Sequence, residues 1–158
     1  MEIGWSALTM TPSAEAVVEL RKAWSWLLPE RYEPVLFSAL GDVFYEVPSN
    51  EIWWLNTRTA QLAKVAESKR AFQQRLGSEA ANEWFLPGLV EALSQAGKVL
   101  GEGRCYTFVT LPVFREGTYT VENLNPVDAR EHFALTGHIH EEIAGLQDGD
   151  KAEIKFVE

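Results

Sequence analysis

Three histidines and four acidic residues lie within one short stretch of the chain, and these side chains have the clearest potential for chemistry. They are His132, His138 and His140, together with Asp128, Glu131, Glu141 and Glu142. Imidazole and carboxylate groups are ligands that zinc and iron commonly take in proteins. A small metal-dependent enzyme is therefore one hypothesis that the sequence raises.

The spacing of the three histidines argues against a shared metal ion. The apolar periodicity of residues 128–144 predicts a helix, in which His132 and His140 lie about 12 Å apart along the axis. His138 and His140 project about 200° apart around the same helix. A metal ion about 2 Å from each nitrogen cannot be reached from these positions unless the helix breaks, for example near Gly137. We therefore predict no metal site and no cofactor.

The same helix predicts the environment of each histidine. The apolar residues at helical spacing, which predict its buried face, are Leu135, Ile139 and Ile143. Because His132 falls on that face, we expect it to be half-buried and hydrogen-bonded. His138 and His140 should lie near the surface.

Nucleophilic catalysis finds little support in the sequence. The single cysteine, Cys105, lies in a strand-like run beside Tyr106 and Phe108, which is typical of a small buried side chain. The chain lacks the Gly-x-Ser-x-Gly and His-Glu-x-x-His motifs of hydrolases. A lone cysteine cannot form an internal disulfide, which favours a reducing compartment. We predict that no residue is catalytic.

The charge of the chain is its strongest guide to a partner. The net charge is −9, which argues against nucleic-acid binding because phosphate contacts require basic patches. Residues 116–158 contain ten acidic and three basic residues, whereas residues 1–115 contain thirteen and eleven. An acidic surface attracts a basic protein partner and accelerates its association. The alternative is a solvated face that only improves solubility.

Five carboxylates of the acidic part are the predicted partner-binding residues. They are Glu122, Asp128, Glu131, Glu141 and Glu142. Glu141 and Glu142 come first, because they flank the predicted apolar face of the helix and are expected to face solvent.

The first half of the chain predicts one amphipathic helix followed by an antiparallel meander. Thr11 and Pro12 are typical of a helix start, and the helix should end before Pro29. Short β-like runs then follow, separated by turn residues, at residues 43–45, 52–55 and 61–66.

The second half predicts further helices and a β-hairpin. Ser68 should cap a helix that Gly77 ends, and Pro87 should kink the next helix or begin a new one. Residues 105–111 and 118–124 predict two strands joined by a turn around residues 116–117.

The C-terminal residues 150–157 alternate between apolar and polar side chains, which predicts a strand of the main sheet, as we also expect for residues 119–123. The elements together predict a single α+β domain over residues 1–158, a mostly antiparallel sheet packed with several helices, with residues 1–10 frayed. The opening residues lack a signal-peptide pattern, and no apolar run reaches the roughly 20 residues of a membrane span. We expect a soluble, cytoplasmic protein with no membrane partner.

Several short strings resemble one bacterial protein family and occur in the same order as in that family. They are Ala39-Leu40-Gly41-Asp42-Val43-Phe44, Trp54-Leu55-Asn56-Thr57, Glu83-Trp84-Phe85-Leu86, Gly103-Arg104-Cys105-Tyr106, Tyr119-Thr120-Val121-Glu122-Asn123, His132-Phe133 and Gly137-His138-Ile139-His140. From residue 20 onward the chain resembles the C-terminal domain of type VI secretion immunity proteins that neutralise an antibacterial DNase effector.

The resemblance implies a non-catalytic protein that binds and neutralises a cognate toxin without a cofactor. A DNase has a basic groove for DNA, so an acidic inhibitor can place carboxylates where phosphates would lie. A regulatory or scaffolding module that binds a host protein, with no toxin partner, is the main alternative, and the metal-dependent enzyme is the third. The resemblance brings no catalytic residues with it.

Overall fold

The fold begins with a short helix, a short strand and a longer helix. A computed structural model describes residues 4–146, in which α1 is Trp5–Leu8, β1 is Thr9–Met10 and α2 is Ala14–Ala23. The Ser13 hydroxyl caps α2 by accepting a hydrogen bond from the amide three residues later at 3.1 Å. The predicted helix start at Thr11 and Pro12 is therefore too early, and the chain after Ala23 continues in turns to residue 27 rather than as a helix.

Five strands form one antiparallel sheet whose order follows the chain. β2 is Glu33–Ser38, β3 is Val43–Glu46, β4 is Ile52–Asn56 and β5 is Gln61–Ala66, and β1 pairs with the outer edge of β2. This arrangement confirms the predicted meander. Because successive side chains point to opposite faces of a strand, Phe44 packs in one apolar cluster and Tyr45 in another. Each face of the sheet is therefore covered.

Three helices follow the sheet and pack on the Phe44 side. α3 is Lys69–Leu76, α4 is Ala80–Phe85 and α5 is Pro87–Gln95. The Ser68 side chain caps α3, which ends at Gly77, as predicted. Leu86 has a left-handed backbone with φ of 45°, which ends α4. Pro87 then begins α5, so the second of its two predicted roles is confirmed.

The predicted hairpin after α5 is wrong in its second strand. β6 is Arg104–Phe108 and β7 is Leu124–Asp128, and they pair antiparallel in a separate two-stranded sheet. Residues 119–123, predicted as a strand of the main sheet, instead end the connection in a 3-10 turn at Val121–Asn123. The Asn123 side chain holds this connection by donating to the carbonyl oxygens of Thr110 and Thr118 at 2.9 and 2.8 Å. The predicted strand at residues 150–157 lies outside the described residues.

The last helix, α6, spans Ala129–Ala144 and packs against α2 on the Tyr45 side of the sheet. Gly137 permits this close approach, since a β-carbon there would lie 2.6 Å from the Ala23 carbonyl oxygen. The predicted apolar face is partly wrong, because Ile139 is buried but Leu135 is 37% exposed. The polar residues of the buried face are His132, Thr136 and His140.

The two sheets and six helices of residues 4–146 confirm the predicted α+β class. The larger sheet is antiparallel throughout and has helices on both faces. Among the described helices, none is long and apolar enough to cross a membrane.

Candidate functional site

Asp42 is fully buried at the turn before β3, and four donors surround its carboxylate. Its Oδ1 accepts hydrogen bonds from the Thr57 amide and hydroxyl at 2.9 and 2.7 Å. Its Oδ2 accepts from the Trp54 indole at 3.2 Å and from the Arg58 guanidinium at 3.3 Å. These donors and the Arg58 charge offset the hydration that burial removes from the carboxylate.

His132 joins this network from α6. Its Nδ1 lies 2.9 Å from the Thr107 hydroxyl, and its Nε2 lies 3.1 Å from the Gly41 carbonyl oxygen. Because a carbonyl oxygen only accepts, Nε2 carries the hydrogen and Nδ1 accepts from Thr107. Burial lowers the pKa of His132 to about 4, so the ring is neutral at pH 7. The predicted hydrogen bonding is confirmed, but the side chain is 2% exposed rather than half-buried.

His140 is also buried, so its predicted position near the surface is wrong. Its Nε2 lies 2.9 Å from the Thr57 carbonyl oxygen, and its ring centre lies 5.6 Å from that of Trp24. Burial lowers the pKa of this imidazole as well. His140 is buried because it lies on the same side of α6 as His132, since the two side chains project only about 80° apart around the helix. His138 projects from another side and is partly exposed.

We refer to Asp42, Thr57, Arg58, His132 and His140 as the inner network. Its contacts are of the kind that hold elements of a fold together. Both His132 nitrogens and both Asp42 oxygens bond to protein groups. Within residues 4–146, no three His, Cys, Asp or Glu side chains are grouped to hold a metal ion. Cys105 is buried, as predicted, and burial raises the pKa of its thiol, which disfavours a nucleophilic thiolate.

The five carboxylates predicted to bind a partner are all exposed, and the structure places them in three locations. Glu122 lies in the 3-10 turn before β7. Asp128 caps α6 by accepting from a backbone amide at 2.9 Å, and Glu131 lies in the first turn. Glu141 and Glu142 lie at the other end of α6, about 15 Å along the axis from Glu131. Two pairs are therefore brought together, and Glu122 stands apart.

Glu141 and Glu142 are poorly placed for helix stability. The C-terminal end of a helix carries a partial negative charge, so carboxylates there are unfavourable. The last turn of α6 contains no basic residue that would offset them. Asp128 and Glu131, at the opposite end, are favourable to the helix.

One exposed stripe of α6 connects the two ends. Its members recur at helical spacing opposite the buried face and are Glu131, Leu135, His138 and Glu142, which we call the outer stripe. Leu135 therefore lies on the surface between two acidic residues. Apolar periodicity alone places Leu135 on the buried face and therefore misses this exposed position.

Known protein families provide the context for this surface. Residues 66–140 match the family described as T6SS immunity protein Tdi1, C-terminal. T6SS denotes the type VI secretion system, so the match confirms the predicted resemblance over just under half of the chain. The Tdi1 match includes Glu122, Asp128 and Glu131, whereas Glu141 and Glu142 follow it directly.

A solved structure resembles the fold over a longer stretch. The crystal structure of Atu4351 from Agrobacterium tumefaciens is 19% identical in sequence, with a TM-score of 0.51. The likeness covers 82% of this chain but only 65% of that chain, and at this identity it concerns the fold alone. No curated protein matches this chain.

Proposed function

We propose that this protein is a non-catalytic immunity protein that binds a cognate antibacterial toxin and blocks it. The match of residues 66–140 to a T6SS immunity family is the observation that carries the proposal. The inner network supports it, because the histidines with the most catalytic potential are engaged in holding α6 to the sheet. The exposed carboxylates remain available to a partner.

The toxin that we propose is a DNase effector of type VI secretion. The immunity protein binds it in the cytoplasm. A DNase binds DNA phosphates through basic side chains, so its groove is cationic. Carboxylates of the outer stripe and of Glu122, Asp128 and Glu141 form ion pairs with such a groove and exclude DNA from it. Inhibition of this kind requires no cofactor, and the same acidity disfavours nucleic acid as a ligand of the immunity protein itself.

The proposal is tested with the toxin encoded beside this gene. The purified nuclease should degrade plasmid DNA, and an equimolar amount of this protein should abolish the degradation. An unrelated acidic protein of similar net charge serves as the control for nonspecific competition. Full nuclease activity in the presence of a molar excess of this protein would contradict the proposal.

A regulatory or scaffolding module remains the competing function, and growth assays separate the two. Bacteria that express the toxin in the cytoplasm should survive only when this protein is co-expressed. A module that binds a host protein gives no such protection.

A further inference from the structure

The turn between α4 and α5 has a half-exposed aromatic side chain on each side. Trp5 and Tyr119 are each 47% exposed. Trp5 packs edge-on against the buried Phe85 ring at 5.3 Å, and Tyr119 packs edge-on against Phe108 at 5.4 Å. Aromatic side chains that remain this exposed are typical of protein interfaces. We define Trp5, Tyr119 and residues 82–87 as the aromatic corner.

Two surface depressions meet at the aromatic corner. The first has a volume of about 450 Å³ and is lined by Asn82, Leu86, Pro87, Gly88, Leu89 and Tyr119. The second has the same volume, lies on the Trp5 side and shares Asn82 and Pro87 with the first. Neighbouring depressions walled by aromatic rings can receive side chains of a partner.

Buried groups hold the aromatic corner in place. Arg58 is 4% exposed, and its guanidinium carbon lies 5.9 Å from the centre of the Tyr119 ring. The same guanidinium donates to Asp42 and to the Glu83 carbonyl oxygen of α4. Asn123 fixes the connection that carries Tyr119 through its carbonyl contacts. A surface that is ordered before binding loses little conformational entropy on association.

Carboxylates border the aromatic corner. Glu79, which directly precedes α4, and Glu83 within α4 are exposed on either side of Asn82 in sequence, and Glu122 follows Tyr119 by three residues. The cation beneath the ring, Arg58, is already paired with a buried carboxylate. An apolar centre with an acidic rim complements a basic surface, because lysine and arginine stems pack on rings while their charges meet carboxylates.

We infer that the aromatic corner is the central contact with the basic surface of the toxin. The inference rests on the proposed function and adds to it that different residues control association and dissociation. Anchors at the centre of an interface control dissociation, whereas charges at the rim chiefly control association. Trp5 and Tyr119 therefore set the dissociation rate of the complex, and the carboxylates of α6 steer the approach of the toxin.

Asn82→Arg tests the corner without removing a core contact, because Asn82 is exposed. Because Asn82 lines both depressions, the longer side chain brings a positive charge to the place where they meet, against a basic partner. Surface plasmon resonance with the immobilised toxin should show a dissociation rate that is at least about 30-fold faster. Gln74→Arg is the matched control, since it places the same side chain at an exposed site on α3, and it should change the rate less than about threefold.

Tyr119→Ala is the second variant and removes one anchor. It should accelerate dissociation at least about tenfold while leaving the association rate nearly unchanged. Thermal melting monitored by circular dichroism verifies that each variant is folded. If Asn82→Arg does not fold, Tyr119→Ala alone decides the matter.

The outcomes separate this inference from the proposed function. If the variants dissociate as slowly as the wild type, and the wild type inhibits the toxin, the inference is wrong and the proposed function stands. If the wild type does not bind the toxin, both are wrong. Sedimentation of the free protein provides a further check: a dimer that Asn82→Arg separates would assign the corner to a second copy of the chain and overturn the inference.

Discussion

The two faces of α6 use similar residue types in opposite environments. On the inner face, His132 and His140 are buried and bond to fixed backbone and hydroxyl groups. On the outer stripe, Glu131 and Glu142 are exposed, and His138 is partly so. Polar side chains on the inner face specify how the elements dock, whereas those on the outer stripe face solvent. Residue type alone does not distinguish these roles, and burial does.

The largest expected effect tests the centre of the inner network. Asp42→Asn preserves shape but leaves the Arg58 charge buried among neutral partners. Breaking a buried ion pair costs about 3–5 kcal/mol, so the free energy of unfolding measured in urea should fall by that amount. Glu142→Gln removes a carboxylate from the outer stripe and should change it by less than about 0.5 kcal/mol. Similar losses in both variants would remove the distinction between the faces.

Substitutions at His132 and at His138 should have different effects on how stability depends on pH. The folded pKa of His132 is about 4, below its ordinary value of 6.5, so the unfolded chain takes up the proton first as the pH falls. The stabilisation is complete above pH 6.5 and is lost toward pH 4, by about 1.4 kcal/mol per unit and roughly 3 kcal/mol in total. Unfolding titrations from pH 7 to pH 4 should therefore show a smaller loss in His132→Gln than in the wild type.

The control for this prediction lies on the other side of the helix. His138→Gln alters a partly exposed imidazole and should retain the wild-type dependence on pH. If His132→Gln also retained it, the buried neutral imidazole would not be the source of the acid sensitivity.

Two glycines isolate the contact between His132 and the sheet. Gly41 and Gly97 have φ of 80° and 84°, so alanine at either site incurs left-handed strain of about 1 kcal/mol. A β-carbon at Gly41 would also overlap His132 Nε2, whereas nothing lies within 4 Å of one at Gly97. Gly41→Ala should therefore cost about 2 kcal/mol more than Gly97→Ala in urea unfolding. Equal costs would mean that the network yields easily at this contact.

The sequence predicted the elements better than the faces that they bury. Periodicity identified the meander and α6, because strand and helix spacing are local properties. It misassigned α6 because the packed face consists partly of polar or small side chains, His132, Thr136, Gly137 and His140. Leu135, the residue that hydrophobicity favours, lies outside that face. Gly137 was a usable signal, since glycine inside a helix marks close approach of another element.

The inner network and the aromatic corner could not be predicted because both depend on tertiary structure. Asp42 lies in one of the strings that resemble the immunity family, but nothing in the sequence indicates that its carboxylate is buried, since its donors come from β4 and from the turn that follows β4. Tyr119 was placed in a strand, although Asn123 holds its segment in a non-repetitive connection. Trp5 joins the corner only through its packing on Phe85.

At the C-terminal end of α6 a small change in stability is expected, and there stability and binding should change in opposite directions. Lysine in the last turn interacts favourably with the helix dipole, so Glu141→Lys/Glu142→Lys should raise the free energy of unfolding by about 0.5–1 kcal/mol. The same reversal should slow association with a basic toxin by roughly tenfold at low salt, because steering depends on these charges. If Glu141 and Glu142 instead served folding, the same reversal should lower the free energy of unfolding and leave the association rate unchanged.

Glu30→Lys/Glu33→Lys provides the matched control for this reversal. It changes the net charge equally at exposed positions before and within β2, so it reproduces any effect of total charge. Association rates of wild type and both variants, measured at two salt concentrations, should differ most for the α6 variant, and the difference should shrink as salt screens the exposed charges. Equal slowing in both variants would mean that net charge alone attracts the toxin. Unchanged rates in both, with folding intact, would mean that the outer carboxylates are only a solvated surface and that the partner approaches another part of the molecule.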